Sequence, residues 1–296
     1  MTWLELARQM LDDPDDPSYT EGVLATVEML DANRQIHTVR LAENRLGPAH
    51  AAVLAPSLNG GSGLSKLLVD GNQFGADGAA LLAAAVGSAT SHITELDLAS
   101  NNVGTEGAIS IAKGLVTSPT LTILSLEGND IGSDCADAVK QALAANKRLE
   151  RLVMRSNKLG TVGATAIAQG LSENPDSGML SLDLFSNAVG DGAVVALASA
   201  LQSPGVQLQE LGLAKNNIGD DGAAALAQAL ESGGGALPLR TLVLASNSIG
   251  DRGAAALLAA VKANAFITTL DVRVHSSTGM KNLVRTALVV SPYCTN

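Results

Sequence analysis

The chain has 296 residues, of which 46% are hydrophobic and only 2% aromatic, and it carries a formal net charge of −10. A chain this apolar can bury enough surface to offset the entropy lost on folding, which excludes a disordered protein. Its acidic balance repels phosphates and its few aromatic residues offer little to stack on bases, so we expect no nucleic-acid partner.

The first residues show no targeting signal. Residues 1–16 lack a basic stretch followed by an apolar run, and no segment approaches the roughly 18 uninterrupted apolar residues of a membrane span. The two cysteines, Cys135 and Cys294, are too few for a disulfide framework and lack metal-ligand spacing. We therefore expect a cytoplasmic protein with no membrane partner.

Residues 1–35 are predicted to form an N-terminal helical cap. Helices are expected over residues 2–11 and 21–32, separated by a loop of sequence DDPDDPSYT. The second helical segment, EGVLATVEMLDAN, matches the helical half of the repeat described next but without its strand.

One internal repeat organises residues 36–275. A twelve-residue motif, such as LERLVMRSNKLG beginning at Leu149, recurs eight times, and we number these copies as repeats 1 to 8. A ninth copy begins at Ile267 and has His275 in the asparagine position. The asparagines of the eight copies lie 28 to 31 residues apart and are Asn44, Asn72, Asn101, Asn129, Asn157, Asn187, Asn216 and Asn247.

The first half of each repeat predicts a short strand and a buried turn. Apolar residues at the first, fourth and sixth positions, such as Leu149, Leu152 and Met154, predict a strand that sends these side chains into a core. Strands this far apart in sequence pair in parallel through a crossover. The asparagine that follows can satisfy backbone groups that water does not reach, and a closing glycine tolerates a left-handed backbone.

The second half of each repeat predicts a helix rich in alanine and leucine. In six of the eight repeats a residue that can cap a helix follows the closing glycine, where it would accept a hydrogen bond from free N–H groups of the first turn. These residues are Thr105, Ser133, Thr161, Asp191, Asp220 and Asp251. Residues 276–296 are predicted to form a C-terminal capping helix, over 279–290, and a tail.

This pattern resembles the leucine-rich repeats of the ribonuclease-inhibitor-like class, which ribonuclease inhibitor shares with the Ran GTPase-activating protein, tropomodulin-type actin caps and NOD-like receptors. The resemblance rests on LxxLxLxxN followed by an apolar residue and glycine, with a Gly-Ala helix after it. It implies an α/β solenoid of about nine repeats, shaped as a curved horseshoe with a parallel β-sheet on the concave side and α-helices on the convex side. Caps would cover its two ends.

The sequence contains no recognisable catalytic or cofactor motif. It has no GxxxxGK[ST], HExxH, GxSxG or CxxC. Cys135 stands where other repeats have glycine, which predicts a small packed residue and not a nucleophile. We expect no enzyme activity, no cofactor and no metal site.

The concave face is the predicted interaction surface. The third, fifth and seventh residues of each motif should project from the concave face, with the eighth and tenth residues near its rim. Repeats 2 to 4 place an acidic field there, repeat 5 places cations around a valine, and repeat 6 adds the one phenylalanine expected on this face. The candidate residues are Asp97, Glu127, Arg151, Val153, Arg155, Lys158 and Phe185.

Two interpretations of Phe185 and its neighbours stay open. A solvent-facing phenylalanine is ordinary, and the cations of repeat 5 can simply neutralise acidic neighbours. Alternatively, Arg155 and Phe185 lie on adjacent rungs and form an interface anchor, because arginine and aromatic residues are enriched in interface cores.

The sequence favours a non-enzymatic protein–protein interaction scaffold or adaptor, as a subunit of a larger intracellular assembly, with a cytoskeletal assembly among the candidates. The alternatives are a GTPase-activating protein resembling the Ran activator, to which no catalytic residue can be assigned, and an inhibitor of another enzyme. The identity of the protein partner is open.

Overall fold

The computed structural model describes residues 3–5, 18–60, 62–232, 237–264, 266–273 and 288–289. Within them, short strands alternate with helices along the chain. The strands are β1 Trp3–Glu5, β2 Thr38–Arg40, β3 Lys66–Leu68, β4 Glu95–Asp97, β5 Ile123–Ser125, β6 Arg151–Val153, β7 Ser181–Asp183, β8 Glu210–Gly212, β9 Thr241–Val243, β10 Thr269–Asp271 and β11 Leu288–Val289. The helices are α1 Ser18–Ala32, α2 Pro48–Leu54, α3 Gly75–Val86, α4 Gly104–Thr117, α5 Ala136–Ala145, α6 Gly160–Ser172, α7 Gly190–Leu201, α8 Asp220–Ser232 and α9 Asp251–Ala263.

The strands form one open sheet in chain order. Each strand from β1 to β9 pairs in parallel with the next, and β11 pairs antiparallel with β10. Equivalent residues of neighbouring repeats are aligned, so that Leu124, Leu152 and Leu182 occupy successive rungs. The predicted solenoid, with strands on its concave side and helices on its convex side, is confirmed.

The core lies between the sheet and the helices. The first, fourth and sixth residues of repeat 5, Leu149, Leu152 and Met154, are at most 3% exposed, which confirms the predicted strand pattern. Cys135 is fully buried and its thiol lies 3.2 Å from the Gly132 carbonyl oxygen, as expected for a packed residue. No helix in the described part of the chain combines the length and apolar character needed to span a bilayer.

Both ends of the solenoid differ from the predicted caps. Trp3–Glu5 is a strand that pairs with β2, so the N-terminal cap contains a strand that the sequence did not indicate. The helix predicted over 2–11 is therefore wrong at these residues. At the other end, Leu288–Val289 pairs with β10 where a helix was predicted. The rest of that predicted helix, residues 279–287 and 290, lies outside the described residues, as do His275 and Cys294.

The asparagines form a buried ladder from one repeat to the next. The Asn157 Oδ1 accepts hydrogen bonds from the backbone N–H groups of Asn129 at 3.1 Å and Ile131 at 3.0 Å. Its Nδ2 donates to the carbonyl oxygens of Leu126 at 2.8 Å and Met154 at 3.0 Å. Because one amide serves backbone groups of two repeats, it fixes their relative position, and the predicted role of the asparagine is confirmed.

The turn before each ladder asparagine is left-handed. The residue preceding the asparagine has a positive φ in all eight repeats, and in six of them it is not glycine. These six residues have φ between 53° and 59° and are Glu43, Ser100, Ser156, Ser186, Lys215 and Ser246. The closing glycine, predicted to use a left-handed backbone, does so in four repeats, at Gly75, Gly104, Gly160 and Gly190.

The predicted helix capping is wrong in its direction. The N-terminal cap positions of α4, α6, α7 and α9 are occupied by valine, leucine or glycine and make no side-chain hydrogen bond, so the predicted capping residues do not stand there. Instead, the Asp220 Oδ1 accepts from the backbone N–H groups of Gly250 and Gly253, both at 2.8 Å, in the following repeat. The Asp191 Oδ1 accepts from Gly219 N–H at 2.7 Å in the same way. These residues therefore join repeats as well as satisfying helix ends.

A second set of buried asparagines lies where helices return to strands, and the sequence analysis did not identify it. The Asn146 Nδ2 donates to the Leu115 carbonyl oxygen at 2.7 Å, and the Asn174 Nδ2 donates to the Leu143 carbonyl oxygen at 2.8 Å. Asn264 makes the equivalent bond to Leu230 at 3.0 Å. Each bond again crosses from one repeat to the preceding one.

We expect Asn157→Ala to destabilise the array by roughly 1–3 kcal/mol, because it strands backbone groups that are buried in both repeats. The free energy of unfolding, measured by urea titration followed by circular dichroism, tests this. Gln73→Ala, which removes an exposed amide side chain, is the control and should change little. Equal stability of the two variants would contradict the ladder interpretation.

We expect Asp220→Ala to lower the free energy of unfolding by about 1–2 kcal/mol, since the start of α9 loses two hydrogen bonds. Asp251→Ala changes the same position of the next repeat, where the aspartate is exposed, and is the matched control. A loss of stability that is as large for Asp251→Ala would show that the caps act within their own helices.

Candidate functional site

Arg155 and Phe185 are in contact on the concave face, as their register predicted. Each lies two residues beyond a strand, β6 and β7, and the Ser156 N–H donates to the Phe185 carbonyl oxygen at 2.7 Å, which holds the two turns level. The guanidinium carbon of Arg155 lies 4.8 Å from the centroid of the Phe185 ring. The Lys215 Nζ of repeat 7 lies 6.0 Å from the same centroid. We call Arg155, Phe185 and Lys215 the concave cluster.

The ring of Phe185 therefore attracts cations from the repeats on both sides. A cation over an aromatic face at these distances stabilises a partly exposed site by about 0.5–1 kcal/mol. Phe185 is half-buried, and Lys215 is exposed. The cluster thus presents an apolar surface and two positive charges on a rigid sheet.

The ion pairs of Arg155 are loose. Its Nε lies 3.9 Å from the Glu127 Oε1 and 3.7 Å from the Asp183 Oδ2, which is too far for hydrogen bonds. The Nε is buried and has no hydrogen-bond partner among the described residues, while the side chain as a whole is 41% exposed. The described residues also accept no hydrogen bond from its two Nη groups, so these groups keep donor capacity for a further acceptor.

The other cations of repeat 5 are paired and lie apart from the concave cluster. The Arg151 Nη2 reaches across β7 to the Glu210 Oε2 at 3.4 Å, and the same oxygen accepts from the Ser181 hydroxyl at 2.9 Å. Lys158 pairs with Asp130 of the preceding repeat. For Arg151 and Lys158 the geometry agrees with the simpler interpretation, that they neutralise acidic neighbours.

An open groove lies at the amino ends of the strands. It has a volume of about 330 Å³, and the pair Arg151–Glu210 forms part of its wall together with Ile123 and Leu180. This groove belongs to the opposite end of the strands from Phe185, so the seven candidate residues do not form a single site. Val153 lies between the two regions, half-buried and level with Ser125 and Asp183.

The acidic field of repeats 2 to 4 is partly neutralised. The Lys66 Nζ lies 2.7 Å from the Glu95 Oε2, and the Arg40 Nη2 lies 3.9 Å from the Asp70 Oδ2. Asp97 has no such cation in the described part of the chain. Burial raises the pKa of its carboxyl group, and the negative charges of Asp70 and Glu95 add to the increase. Hydrogen bonds from the Ala99 N–H and the Ser125 side chain lower the pKa and oppose this effect.

Lys215 is the member of the concave cluster that the sequence analysis did not single out. It occupies the eighth position of repeat 7, where the other repeats have glycine or serine except for Glu43 in repeat 1. The available signal in the sequence was a long cationic side chain at a position where most other repeats have a small residue. Gly212 contributes in a different way, because a Cβ there would lie 2.7 Å from an Asp183 carboxylate oxygen, and its absence leaves room for that side chain.

We expect Asp97→Asn to raise the melting temperature at pH 7. The raised pKa means that the folded state disfavours the ionised carboxylate, so the penalty is present above the folded-state pKa and disappears as the pH falls towards 3.8, where the unfolded group also binds its proton. An amide oxygen can still accept the Ala99 N–H. Thermal melts of both proteins between pH 3.5 and about 7 test this, with Asp77→Asn, an exposed carboxylate on α3, as the control. A variant that is less stable at pH 7 would show that the hydrogen bonds to the carboxylate outweigh the cost of its burial.

The repeats also match a known family. The model of the family described as Leucine Rich repeat matches residues 90–112, 117–139, 145–168, 179–198, 208–227 and 237–258, which correspond to repeats 3 to 8. A comparison with curated protein sequences found no match.

Three solved structures illustrate what this chain is similar to. Leiomodin-1 Actin-Binding Site 2 is 18% identical, with a TM-score of 0.43, over 53% of this chain and 91% of that chain. The tropomodulin C-terminal domain of Caenorhabditis elegans is 15% identical, with a TM-score of 0.40, over 49% of this chain and 84% of that chain. TLR13 in its complex with ssRNA13 is 17% identical, with a TM-score of 0.43, over 77% of this chain and 31% of that chain.

The family matches coincide with the strands and helices of the solenoid. Each matched segment contains one strand of the parallel sheet and helical residues that follow it, from β4 in the first to β9 in the last. The ladder asparagine lies four residues beyond the end of each of these strands. The chain is therefore a leucine-rich repeat protein whose repeats follow the ribonuclease-inhibitor-like pattern.

Proposed function

We propose that this protein is a non-enzymatic scaffold or adaptor that binds another protein through the concave face of repeats 5 to 7. The observation that carries the proposal is the concave cluster, in which Phe185 is half-buried between Arg155 at 4.8 Å and Lys215 at 6.0 Å. Arginine and aromatic residues are the types in which protein interfaces concentrate their binding energy.

The rigidity of the solenoid supports this proposal. Buried amides tie each repeat to its neighbour, so the concave side chains are held in place before a partner arrives, and little entropy is lost on binding. The loose ion pairs of Arg155 favour the same function, because a partner that supplies a closer acceptor has little to displace.

The chemistry of the described residues favours binding over catalysis. Burial raises the pKa of the thiol of Cys135, the one cysteine among the described residues, to about 11, which keeps it protonated and unreactive. We propose further that the protein acts in the cytoplasm as a subunit of a larger assembly, with a cytoskeletal one among the candidates, and that neither nucleic acid nor membrane is its partner. The net charge of −10 supports the absence of a nucleic-acid partner. No feature of the described residues favours the GTPase-activating or inhibitor alternatives.

We expect the double variant Arg155→Glu and Phe185→Ala to lose capture of the main partner while keeping the fold. The substitutions remove the aromatic surface and reverse the charge above it, and a loss of at least about 2 kcal/mol of binding energy is typical of such an anchor. Affinity purification from the native source with mass spectrometry identifies the partner and measures its recovery. A circular dichroism melt checks the fold.

The matched control is Arg240→Glu with Phe266→Ala, which changes an exposed arginine and a phenylalanine that is 38% exposed elsewhere on the solenoid. Undiminished recovery with the first double variant would move the binding site to the convex helices or to the caps. A single-turnover assay with small GTPases separates the scaffold from the GTPase-activating alternative, since only the latter accelerates hydrolysis.

A further inference from the structure

Two positions of every repeat form an exposed rim along the carboxyl ends of the strands. One is the tenth residue of the motif, directly after the ladder asparagine, and the other is the second residue after the closing glycine. Both positions are exposed in all eight repeats. Since the fold gives these positions the same environment throughout, differences in residue type between repeats are not required by packing.

The tenth position is polar or charged in seven repeats and apolar in one. The exception is Ala188 of repeat 6. Its backbone is left-handed, with φ of 55°, a conformation that asparagine and aspartate tolerate best. Asn102, Asp130 and Asn217 have the same conformation at this position in other repeats. Ala188 thus exposes a methyl group where the backbone favours a polar residue.

The second rim position breaks its pattern in the neighbouring repeat. It carries a charge in five repeats, at Asp77, Glu106, Asp134, Asp221 and Arg252. In repeat 5 it is Val162, which is 63% exposed and exceeds every other large hydrophobic side chain of the described residues in exposure. In repeat 6 it is Gly192 and in repeat 1 it is Ala49, so within the array the charged rim is interrupted over two adjacent repeats, 5 and 6.

These residues are close to one another in the fold. The Thr161 hydroxyl, next to Val162, donates to the Val189 carbonyl oxygen at 2.8 Å, and Val189 is next to Ala188. A Cβ on Gly192 would lie 3.3 Å from the Thr161 methyl group. We call Val162, Ala188 and Gly192 the rim patch.

The rim patch adjoins the concave cluster. Ala188 follows Phe185 by three residues, at the other end of the same turn. Lys215 has no carboxylate within ion-pair distance among the described residues, and the ion pairs of Arg155 are 3.7 Å or longer. Repeats 5 to 7 therefore combine exposed apolar surface with the cation of Lys215 and with the Arg155 guanidinium group, whose two carboxylate neighbours accept no hydrogen bond from it.

We propose that the rim patch and the concave cluster form one docking surface for a segment of a partner protein that carries a carboxylate and an apolar side chain. The carboxylate binds Arg155 and Lys215 above the Phe185 ring, and the apolar side chain packs on Val162 and Ala188. This inference rests on the proposed function and specifies the chemistry of the partner. A basic segment is disfavoured here, because both cations of the cluster would repel it.

Selection of random dodecapeptides displayed on phage against the immobilised full-length protein tests the proposal. We expect the enriched peptides to share an aspartate or glutamate near an apolar residue. The affinity of one enriched peptide, synthesised with a fluorescent label, is then measured by anisotropy. Lys215→Glu should weaken its binding at least about tenfold, since the change removes an attraction and adds a repulsion.

Val162→Asp should weaken the binding of the same peptide. Replacing the acidic residue of the peptide by its amide should reproduce the effect of Lys215→Glu on the affinity. The matched control is Val195→Asp on α7, a valine that is 51% exposed in the body of its helix, and it should leave the affinity unchanged. Melts of each variant check the fold.

The outcomes separate this inference from the proposed function. Enriched peptides that are basic, or that bind Lys215→Glu and Val162→Asp as tightly as the unmodified protein, would overturn the docking surface and leave a protein-binding scaffold in place. A selection that yields no binding peptide would also overturn the docking surface, and partner capture with the Arg155→Glu and Phe185→Ala variant tests the proposed function separately.

Discussion

The buried amide of the asparagine that follows each strand is the interaction on which the rest of the structure depends. The Asn157 amide, for example, accepts N–H groups from the preceding repeat and donates to carbonyl oxygens of both repeats, in a place that water does not reach. With neighbouring repeats fixed in this way, equivalent side chains are stacked at the spacing of paired strands, roughly 4.8 Å. The contact between Arg155 and Phe185 is a direct consequence, because both residues occupy the seventh position of adjacent repeats.

The same amides hold a strained backbone. Six non-glycine residues adopt a left-handed conformation immediately before the ladder asparagine, which costs free energy at each. Lys215 is one of them, and its conformation brings its long side chain to within 6.0 Å of the Phe185 centroid. The conformation persists since the turn is bonded from several sides, as at Asn216, whose Nδ2 donates to Leu184 and Ala214. The ladder thus stabilises the array and also sets the direction of a residue in the candidate site.

The sequence predicted the features that are set by the position of a residue within the repeat. It did not predict contacts that depend on how far a side chain extends into a neighbouring repeat. The strands, their register and the burial of Leu152 follow from a pattern repeated eight times. The strand Trp3–Glu5 does not contain the repeat motif, so the sequence did not predict it. The direction in which Asp220 caps a helix is equally absent from the pattern, since one residue can reach its own helix or the next. The pairing of Arg151 with Glu210, across an intervening strand, has the same cause.

A regular solenoid allows functional surface to be distinguished from structural surface. When eight repeats share one backbone, the fold explains what they have in common, and a side chain that departs from the others at an exposed position needs another reason. Phe185, Ala188 and Val162 are such departures, and all three fall in repeats 5 and 6. Each is unfavourable or neutral for the isolated protein, because it exposes apolar surface or strains the backbone. Their concentration in adjacent repeats, beside the incompletely paired Arg155 and Lys215, is what a site for another protein requires and what folding alone does not.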